Sequence, residues 1–425
     1  MQGAKDTFQV LVSKTIQGMQ REENFADNSR RKRTESAPVI LLVNQLIDEA
    51  IKMGASDIHM EPIGEVVRTR FRIDGELCEM HEPIPIAVHA FVISRIKIMS
   101  GLDITEKKVP QDGRILYSNK EEPIDIRVST MPTIQGEKVV LRLLNAANRL
   151  LNIDELDFSE ENRNTFRKIC HFPYGMILNT GPVNSGKTTT LYAALNELNA
   201  VEKNIITIED PVEYCLSGIN QVQVNGKVDL TFAVGLRSIL RQDPNIIMVG
   251  EIRDEETAKI AVRAALTGHL LFTTIHTSNA IGAIFRLLDM GIKPYLFSAA
   301  VRGIIAQRLV RKICPNCCES YEVERESAEA SFLGTHYYEG LQLFHGKGCD
   351  KCNFTGYSGR LAIQEVLVIN DEIRKSLMEG VDIVQMKILI YKFLKMVSMV
   401  QDGIEKVLRG KTTVSEILRV TDGEI

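Results

Sequence analysis

The loop at residues 181–188, with the sequence GPVNSGKT, constrains the fold of this chain more than any other feature. It matches the phosphate-binding pattern G-x-x-x-x-G-K-[ST], and its flanks fit as well. Met176–Thr180 is an apolar run typical of a buried strand, and Thr189–Leu198 carries apolar residues at helical spacing. When a strand, such a loop and a helix follow one another, successive backbone N–H groups converge on a phosphate at the helix N-terminus. The loop therefore predicts a nucleoside triphosphate site, since a chance glycine-rich turn would not have both flanks.

Two side chains of the loop are expected to act directly on the ligand. Lys187 should reach the β and γ phosphates, and Thr188 should place its hydroxyl on Mg²⁺. This cation keeps several waters and needs only one or two protein oxygens beside the phosphates. The residues predicted to contact ATP are Gly181, Pro182, Val183, Asn184, Ser185, Gly186, Lys187, Thr188 and Thr189.

Composition indicates a globular protein whose binding sites are local. A length of 425 residues with 44% hydrophobic content is enough for two or three domains with their own cores. The net charge of −4 gives no overall basic field that would attract nucleic acid or an anionic membrane. The start of the chain lacks a signal-peptide pattern, and no apolar run is long enough to span a bilayer. We therefore expect a soluble, cytoplasmic protein.

Pattern changes along the chain suggest its division into domains. The stretch 6–19 is amphipathic and predicts a frayed terminal helix in preference to a docking element. Val66–Ile73 alternates as a strand does and precedes the turn Asp74-Gly75. The predicted segments are a polar tail or linker at 1–38, an N-terminal α/β domain at 39–145, a hinge at 146–155 and an ATPase domain at 156–425, which contains a four-cysteine module at 311–362 and a C-terminal helical region at 363–425.

Three apolar runs beyond the phosphate loop predict parallel strands: Ile205–Ile208, Ile246–Val249 and Leu270–Ile275. Ligands of such sheets bind outside the carboxyl ends of the strands, where this chain has acidic residues or histidine. Glu251 is expected to hold Mg²⁺, directly or through water, and Glu209 to orient and polarise the attacking water.

Two histidines bracket the last of these runs. His276 lies at its carboxyl end, so it is the candidate that would sense the γ-phosphate or relay its loss to the next subunit. His269 lies at the other end. For either residue the alternative is a structural histidine that bonds a backbone carbonyl.

Two C-x-x-C pairs, separated by 31 residues, predict a metal site. Cys314, Cys317, Cys349 and Cys352 suit a tetrahedral thiolate site for Zn²⁺, and four thiolates leave no open position for chemistry. Two redox pairs or an iron–sulfur cluster are the alternatives. The other cysteines are expected outside the site, with Cys318 beside it and with Cys78, Cys170 and Cys215 as small buried side chains.

These segments together resemble the ATPase family of type II secretion and type IV pilus assembly, hexameric motors with a RecA-like core. The resemblance covers nearly everything after residue 38. By resemblance, the segment at 208–214 is the acidic box, that at 250–254 the Walker B region, and that at 268–277 the histidine box. The matching segments besides the phosphate loop are Ser56–Pro62, Arg70–Gly75, Pro110–Arg114, Arg127–Thr130, Ile208–Tyr214, Leu240–Pro244, Gly250–Asp254 and Gly268–Thr277.

The resemblance implies an α/β fold with a RecA-like P-loop ATPase core, a smaller N-terminal α/β domain of PAS-like type and a four-cysteine metal-binding insertion. It also implies Mg²⁺-dependent ATP hydrolysis by a homo-hexamer. This ring would lie at the cytoplasmic face of the inner membrane and act on a platform protein to assemble a secretion pseudopilus or a pilus. A cysteine module of this kind favours extension over retraction. Direct contact with nucleic acid is not expected.

Hydrolysis also calls for a cation beyond lysine and Mg²⁺. The resemblance implies that arginines of the first domain close over the nucleotide. Arg70 and Arg72 alternate with apolar residues, so in a strand they share one face, and Arg114 follows a turn. Arg114 and then Arg72 are the candidates for the arginine finger, and the alternative is an ordinary arginine on a solvated strand.

The phosphate loop departs from the family at two positions, Val183 and Asn184, where relatives usually have Thr and Gly. Asn is the least penalised non-glycine residue at positive φ, so the loop should still curl around phosphate. Two other functions remain open: a RecA-like nucleic-acid motor, and a nucleotide-binding regulator with little turnover.

Overall fold

Two seven-stranded sheets organise the chain in the computed structural model, which describes residues 8–16, 37–79, 83–118, 123–144 and 151–421. The chain divides into a first unit, Met1–Arg149, and a second unit, Leu150–Ile425. Much of the predicted tail and the first part of the predicted hinge lie outside the described residues. Within these residues, no helix has both the length and the hydropathy needed to cross a membrane.

The first unit is an antiparallel sheet with its helices packed into one core. Its strand order is β3-β2-β1-β7-β6-β5, and β4 pairs with β2. The predicted strand Val66–Ile73 is confirmed as β2, and its hairpin turn has positive φ at Asp74 (50°) and Gly75 (94°). The elements are α1 (8–16), α2 (Ala37–Lys52), β1 (Asp57–Ile63), β2 (Val66–Ile73), β3 (Glu76–Glu79), β4 (Ile84–Pro85), α3 (Ile86–Met99), β5 (Gln111–Ser118), β6 (Pro123–Thr133) and β7 (Gly136–Leu144).

The helix α1 differs from the expectation of a frayed terminus. Its residues Phe8 and Val12 are buried in the same core as Val43 of α2 and Val88 of α3. Burying a large apolar side chain stabilises a fold by about 1.5–3 kcal/mol, which fixes this short helix against the first unit. Part of the predicted tail at 1–38 is therefore a packed element.

The second unit contains a largely parallel sheet with the order β10-β9-β11-β12-β8-β13-β16, in which only β16 is antiparallel to its neighbour. The predicted strands Ile246–Val249 and Leu270–Ile275 are confirmed with the same bounds. The sheet strands are β8 (Gly175–Thr180), β9 (Ile205–Glu209), β10 (Asn220–Gln223), β11 (Ile246–Val249), β12 (Leu270–Ile275), β13 (Val301–Ile313) and β16 (Tyr357–Val368). The helices up to β13 are α4 (Glu160–Cys170), α5 (Lys187–Leu198), α6 (Phe232–Ile239), α7 (Glu255–Leu266), α8 (Ala280–Asp289) and α9 (Pro294–Ala300).

Apolar cores cover both faces of this sheet. On β8, Met176 and Leu178 belong to one hydrophobic cluster, whereas Ile177 belongs to another. Successive side chains of a strand point to opposite faces, so a strand covered on both sides is largely apolar, and its few buried polar side chains, such as Asn179, are hydrogen-bonded. This explains why the strands appear in the sequence as continuous apolar runs.

The four-cysteine module lies between β13 and β16, and helices follow it. It contains the antiparallel pair β14 (Cys318–Glu322) and β15 (Gln342–Gly346) and the helix α10 (Ala328–Leu333). The later helices are α11 (Asp371–Met378), α12 (Ile383–Lys387), α13 (Met399–Leu408) and α14 (Val414–Thr421), with a π-helix at Ile388–Phe393. The helical region thus begins at Asp371, later than the 363 expected from sequence, because β16 continues along β13 to Val368.

Candidate active site and metal centre

The phosphate loop at 181–188 connects β8 to α5, and its backbone requires the residues found there. A Cβ at Gly181 would lie 2.5 Å from the backbone oxygen of Gln307, and Gly186 has φ +87°. Asn184 has φ +62°, in the left-handed region where asparagine is tolerated. The departure from the family sequence at this position is therefore compatible with the loop conformation, as the sequence predicted.

Lys187 begins α5 and points back into the loop. Its Nζ donates hydrogen bonds to the backbone oxygens of Gly181 (2.8 Å) and Pro182 (2.7 Å). Burial lowers the pKa of Lys187 to about 8, while the Glu251 carboxylate opposes this shift and Arg308 adds to it. An additional anion beside this ammonium group would favour its charged form.

Hydroxyl groups around the loop fit a ligand with oxygen atoms. The Ser185 Oγ is buried and, within the described part of the chain, has no hydrogen-bond partner. Thr188 and Thr189 are partly buried in the first turn of α5. An unpaired buried hydroxyl is costly unless something binds it, so a phosphate or hydrated cation here would complete its hydrogen bonding.

Gln307 holds the loop from β13 and was missed by sequence reasoning. This residue is only 1% exposed, and its Nε2 donates to the Ser185 backbone oxygen (2.7 Å). Its Oε1 accepts from Asn179 Nδ2 (3.1 Å) and from Thr190 Oγ1 (2.9 Å). The only sequence signal is a polar pair, Gln307 and Arg308, within an apolar strand.

Arg308 extends this connection to the segment after β12. Its guanidinium group donates to the backbone oxygens of Ser278 and Gln307. Because Ser278 lies two residues after His276, one strand contacts both the phosphate loop and the histidine segment.

Charged side chains gather where the parallel strands end. The Oε2 of Glu251 lies 3.3 Å from His276 Nε2, and its Oε1 accepts from Arg253 (2.5 Å). Arg253 also lies 3.5 Å from Asp210. Partial burial alone would raise the pKa of Glu251, but Arg253 and His276 outweigh it and lower that pKa. The structure thus brings Glu251 and His276 together, and the Glu251 carboxylate also acts electrostatically on Lys187.

Glu209 ends β9 and is enclosed. It is 3% exposed, and its carboxylate accepts hydrogen bonds from the Tyr192 hydroxyl, from Thr207 Oγ1 (2.5 Å) and from Gln221 Nε2 (3.1 Å). Burial raises the pKa of Glu209, although these three hydrogen bonds oppose the rise. Neither Tyr192 nor Gln221 belongs to a segment that sequence reasoning connected with Glu209.

His269 is bonded to a backbone carbonyl, as expected of a structural histidine. Its Nδ1 lies 3.0 Å from the backbone oxygen of Ala264. His276 is half exposed and pairs with Glu251, so the two histidines that bracket β12 have different environments.

On β2 of the first unit, Arg70 and Arg72 share one face as predicted, with Phe71 buried on the other. Arg70 pairs with Glu61 at 2.7 Å. Arg72 donates to the backbone oxygen of Gly75, also at 2.7 Å.

Arg114 lies on β5 of the same unit. Its Nε is 2.5 Å from Asp125 Oδ1, and the side chain is largely exposed. The assignment of an arginine finger to Arg114 or Arg72 stays a prediction.

The four predicted metal ligands meet in one cluster, with all four Sγ atoms within 4.8 Å of one another. Cys314 and Cys349 are 3.9 Å apart, and Cys352 lies 3.8 Å from both Cys317 and Cys349. Tetrahedral Zn²⁺ with Zn–S bonds of about 2.3 Å places its sulfur atoms about 3.8 Å apart. The cluster therefore has the dimensions of a mononuclear site. All eight cysteines are free, so these pairs are not disulfides.

Tight turns bring the second pair of cysteines into place. The Sγ of Cys352 accepts from the backbone N–H groups of Cys349 (3.2 Å) and Gly356 (3.3 Å). A Cβ at Gly346 would lie 2.0 Å from the Gly356 oxygen, so the two chain segments approach too closely for any side chain at that position.

Two of the other cysteines are where the sequence predicted them, because Cys318 is exposed beside the cluster and Cys170 is buried. Cys78 is only half-buried, although it packs against the core of the first unit. Cys215 is exposed, so the prediction that it is buried is wrong. It lies between Tyr214 and Leu216, whose side chains pack into the core and leave Cys215 on the outer side of this irregular segment.

Comparison with known proteins agrees with these features. A family model described as Type II/IV secretion system protein matches residues 32–419. This chain belongs to that family. One relative in the family is the type II secretion system protein E of Dickeya dadantii, 50% identical over 392 residues, which are 92% of this chain and 77% of the relative. Another is the type II secretion system ATPase E of Vibrio cholerae, 47% identical over 389 residues, or 91% and 76% of the two chains.

Solved structures show the same fold in other secretion and pilus proteins. The pilus retraction motor PilT, solved with bound ADP, is 28% identical with a TM-score of 0.59, and the match covers 89% of this chain and 96% of PilT. The ATPase DotB of Legionella pneumophila is 20% identical with a TM-score of 0.66 over 94% and 98% of the two chains, which shows the fold alone. The predicted fold class, a P-loop ATPase core with a smaller α/β domain and a four-cysteine insertion, is confirmed.

Proposed function

We propose that this chain is a Mg²⁺-dependent ATPase that powers the assembly of a type II secretion pseudopilus or a type IV pilus. The observation that carries the proposal is Glu251, which pairs with His276 and whose charge acts on Lys187 of the phosphate loop, in a chain about half identical to type II secretion system E proteins. We propose further that it works as a homo-hexamer at the cytoplasmic face of the inner membrane and acts on a platform protein there.

The chain's own residues have distinct proposed roles in this reaction. The backbone of residues 181–188 and Lys187 bind the phosphates of ATP, and Glu251 with Thr188 holds Mg²⁺. When bound, Mg²⁺ supplies positive charge that stabilises the phosphoryl oxygens. Glu209 orients and polarises the attacking water. His276, paired with Glu251, is placed to respond to loss of the γ-phosphate.

Steady-state phosphate release by the purified full-length chain tests this proposal. We expect turnover that requires Mg²⁺ and falls about 100-fold or more in Glu251→Gln, because a preorganised charge that acts on the reacting phosphate is worth several kcal/mol. Glu255→Gln is the matched control, since this carboxylate is exposed and pairs with Lys259 (2.5 Å) on α7. Its turnover should stay within about twofold of wild type, as for most surface changes.

Each alternative function has its own outcome. Turnover that depends on added DNA or RNA and falls steeply with salt would favour a nucleic-acid motor. Absence of turnover in the assembled wild-type ring would favour a regulator. Recovery of an inner-membrane platform protein from membrane extract by the Glu251→Gln form would support the proposed partner, and its repeated absence would contradict it.

We propose that Cys314, Cys317, Cys349 and Cys352 hold one structural Zn²⁺. The support is geometric, because thiolates that bind an iron–sulfur cluster are separated by iron and sulfide atoms and lie further apart than in this cluster. Metal analysis of protein purified under reducing conditions should find about one zinc per chain. Cys352→Ser should lose it and Cys318→Ser should keep it, since Cys318 is exposed outside the cluster. Stoichiometric iron, or no metal in wild type, would refute the assignment.

A further inference from the structure

The carboxylate of Glu209 lies in a cage of neutral hydrogen-bond donors. Tyr192 donates from α5, Thr207 from β9 itself, and Gln221 from β10. The Nε2 of Gln221 is also 3.2 Å from the Tyr192 hydroxyl. Three elements of the second unit therefore converge on one side chain that the proposed reaction needs.

The cage leaves capacity for a water molecule. An ionised carboxylate offers about four acceptor positions, and three donors occupy three of them. The three donors leave the fourth acceptor position of Glu209 unused, so the hydrogen bonds that fix the carboxylate are compatible with its acting on a water molecule. A carboxyl group that lost these donors while buried would tend to protonate and could no longer accept a proton.

Tyr192 is suited to this task because it remains a donor. Burial, followed by the charge of Glu209, raises the pKa of Tyr192 well above the range in which an ATPase works. The other titratable groups that face Glu209 are Glu213 and Tyr214, in the segment after β9. The negative charge of Glu213 favours protonation of Glu209, so the cage has to oppose it.

Aromatic packing fixes the donor in place. The ring of Tyr192 meets that of Tyr214 edge to face, at 4.8 Å between centroids and 82° between planes. Tyr192 lies five residues after Lys187 on α5. The helix that begins at the phosphate loop is thus tied directly to the end of β9.

We propose that Tyr192 is a positioning residue for ATP hydrolysis, whose hydroxyl, together with Thr207 and Gln221, holds the Glu209 carboxylate oriented towards the attacking water. The inference rests on the proposed role of Glu209 as the group that orients this water. Tyr192 itself touches neither ATP nor water in this scheme.

The test compares two isosteric changes, Tyr192→Phe and Tyr214→Phe, in full-length protein. The Tyr214 hydroxyl makes no hydrogen bond among the described residues, so Tyr214→Phe removes a hydroxyl from the neighbouring ring without opening the cage. We expect Tyr192→Phe to lower kcat about tenfold with little change in KM for ATP, since the lost contact orients the reacting water. The acid limb of its kcat–pH profile should move about half a pH unit or more to higher pH, because a hydrogen bond to the ionised form is gone. Tyr214→Phe should match wild type in both measurements.

Two further variants separate the possible failures. Thr207→Val removes another cage donor at nearly constant volume and should shift the acid limb in the same direction. Glu209→Gln tests the role on which the inference depends. If Glu209→Gln abolishes turnover while Tyr192→Phe and Thr207→Val leave kcat and the acid limb unchanged, the cage is refuted and the proposed role of Glu209 stands. If Glu209→Gln turns over normally, the proposed role itself fails. A rise in kcat in Tyr192→Phe would show that the cage restrains Glu209, which also overturns the proposal.

Discussion

Replacement of Gln307 by leucine should loosen the phosphate loop from a distance of more than a hundred residues along the chain. Leucine has a similar size but is apolar, so the change removes three buried hydrogen bonds, to Ser185, Asn179 and Thr190. The Asn179 amide still donates a hydrogen bond to the Lys187 backbone oxygen (3.3 Å), so it keeps one partner after the change. At about 1 kcal/mol for each bond, we expect the free energy of unfolding to fall by about 3 kcal/mol.

Calorimetry of the full-length protein can measure this loss. A fall of about 3 kcal/mol corresponds to a Tm lower by roughly 6–10 °C in a unit of this size. The KM for ATP should rise as well, because the Ser185 backbone loses its support from β13. The matched control is Gln342→Leu, at an exposed strand position, which should change the stability by less than about 0.5 kcal/mol. A Gln307→Leu protein with the wild-type Tm and KM would refute the reasoning, as would an equal loss in the control.

Two other predictions concern backbone strain and acid stability. Asn184→Val should weaken ATP binding about tenfold, because left-handed backbone costs a β-branched residue about 1–2 kcal/mol, whereas Asn184→Gly should bind at least as tightly as wild type. Titration with a fluorescent nucleotide tests this, and equal affinities in the two variants would contradict it. Burial alone would raise the pKa of Glu416, but hydrogen bonds from Arg419 and Arg311 lower it to about 2. A lowered folded-state pKa adds stability above the unfolded value, and this stability is lost as pH falls from about 4.5 towards 2. The Arg419 side chain is 39% exposed, so solvent screens its pair with Glu416, and we expect about 2 kcal/mol of acid-sensitive stability. Urea melts at a series of pH values measure this contribution, which should be absent from Glu416→Gln.

The elements that sequence predicted correctly depend on short-range physics. The patterns that predicted them are local: glycines at fixed spacing, apolar runs of strand length and paired cysteines. The structure has the corresponding elements at the predicted positions, namely the phosphate loop, β11, β12 and the cysteine cluster. Parallel pairing then puts the residue after each strand at one sheet edge, so the neighbourhood of Glu251 and His276 also followed from the sequence.

Other features depended on which distant segments became neighbours. Sequence reasoning expected a frayed helix near the N-terminus, but Phe8 and Val12 found an apolar surface to bury against. It expected Cys215 to be buried, but the side chains on either side of it took the inward positions. In an irregular segment the buried positions do not recur at a regular spacing, so the sequence has no pattern from which the burial of one side chain could be predicted.

By itself, the sequence determined that this chain carries a phosphate-loop motif on a parallel α/β sheet and gathers four cysteines, because those properties are set by residue types at close spacing. Only the tertiary structure decided that Gln307 supports the phosphate loop and that Tyr192, Thr207 and Gln221 enclose Glu209. These contacts join residues on separate strands and helices. Their energies come from burial and hydrogen bonding across the packed core, which exist only after the elements have assembled.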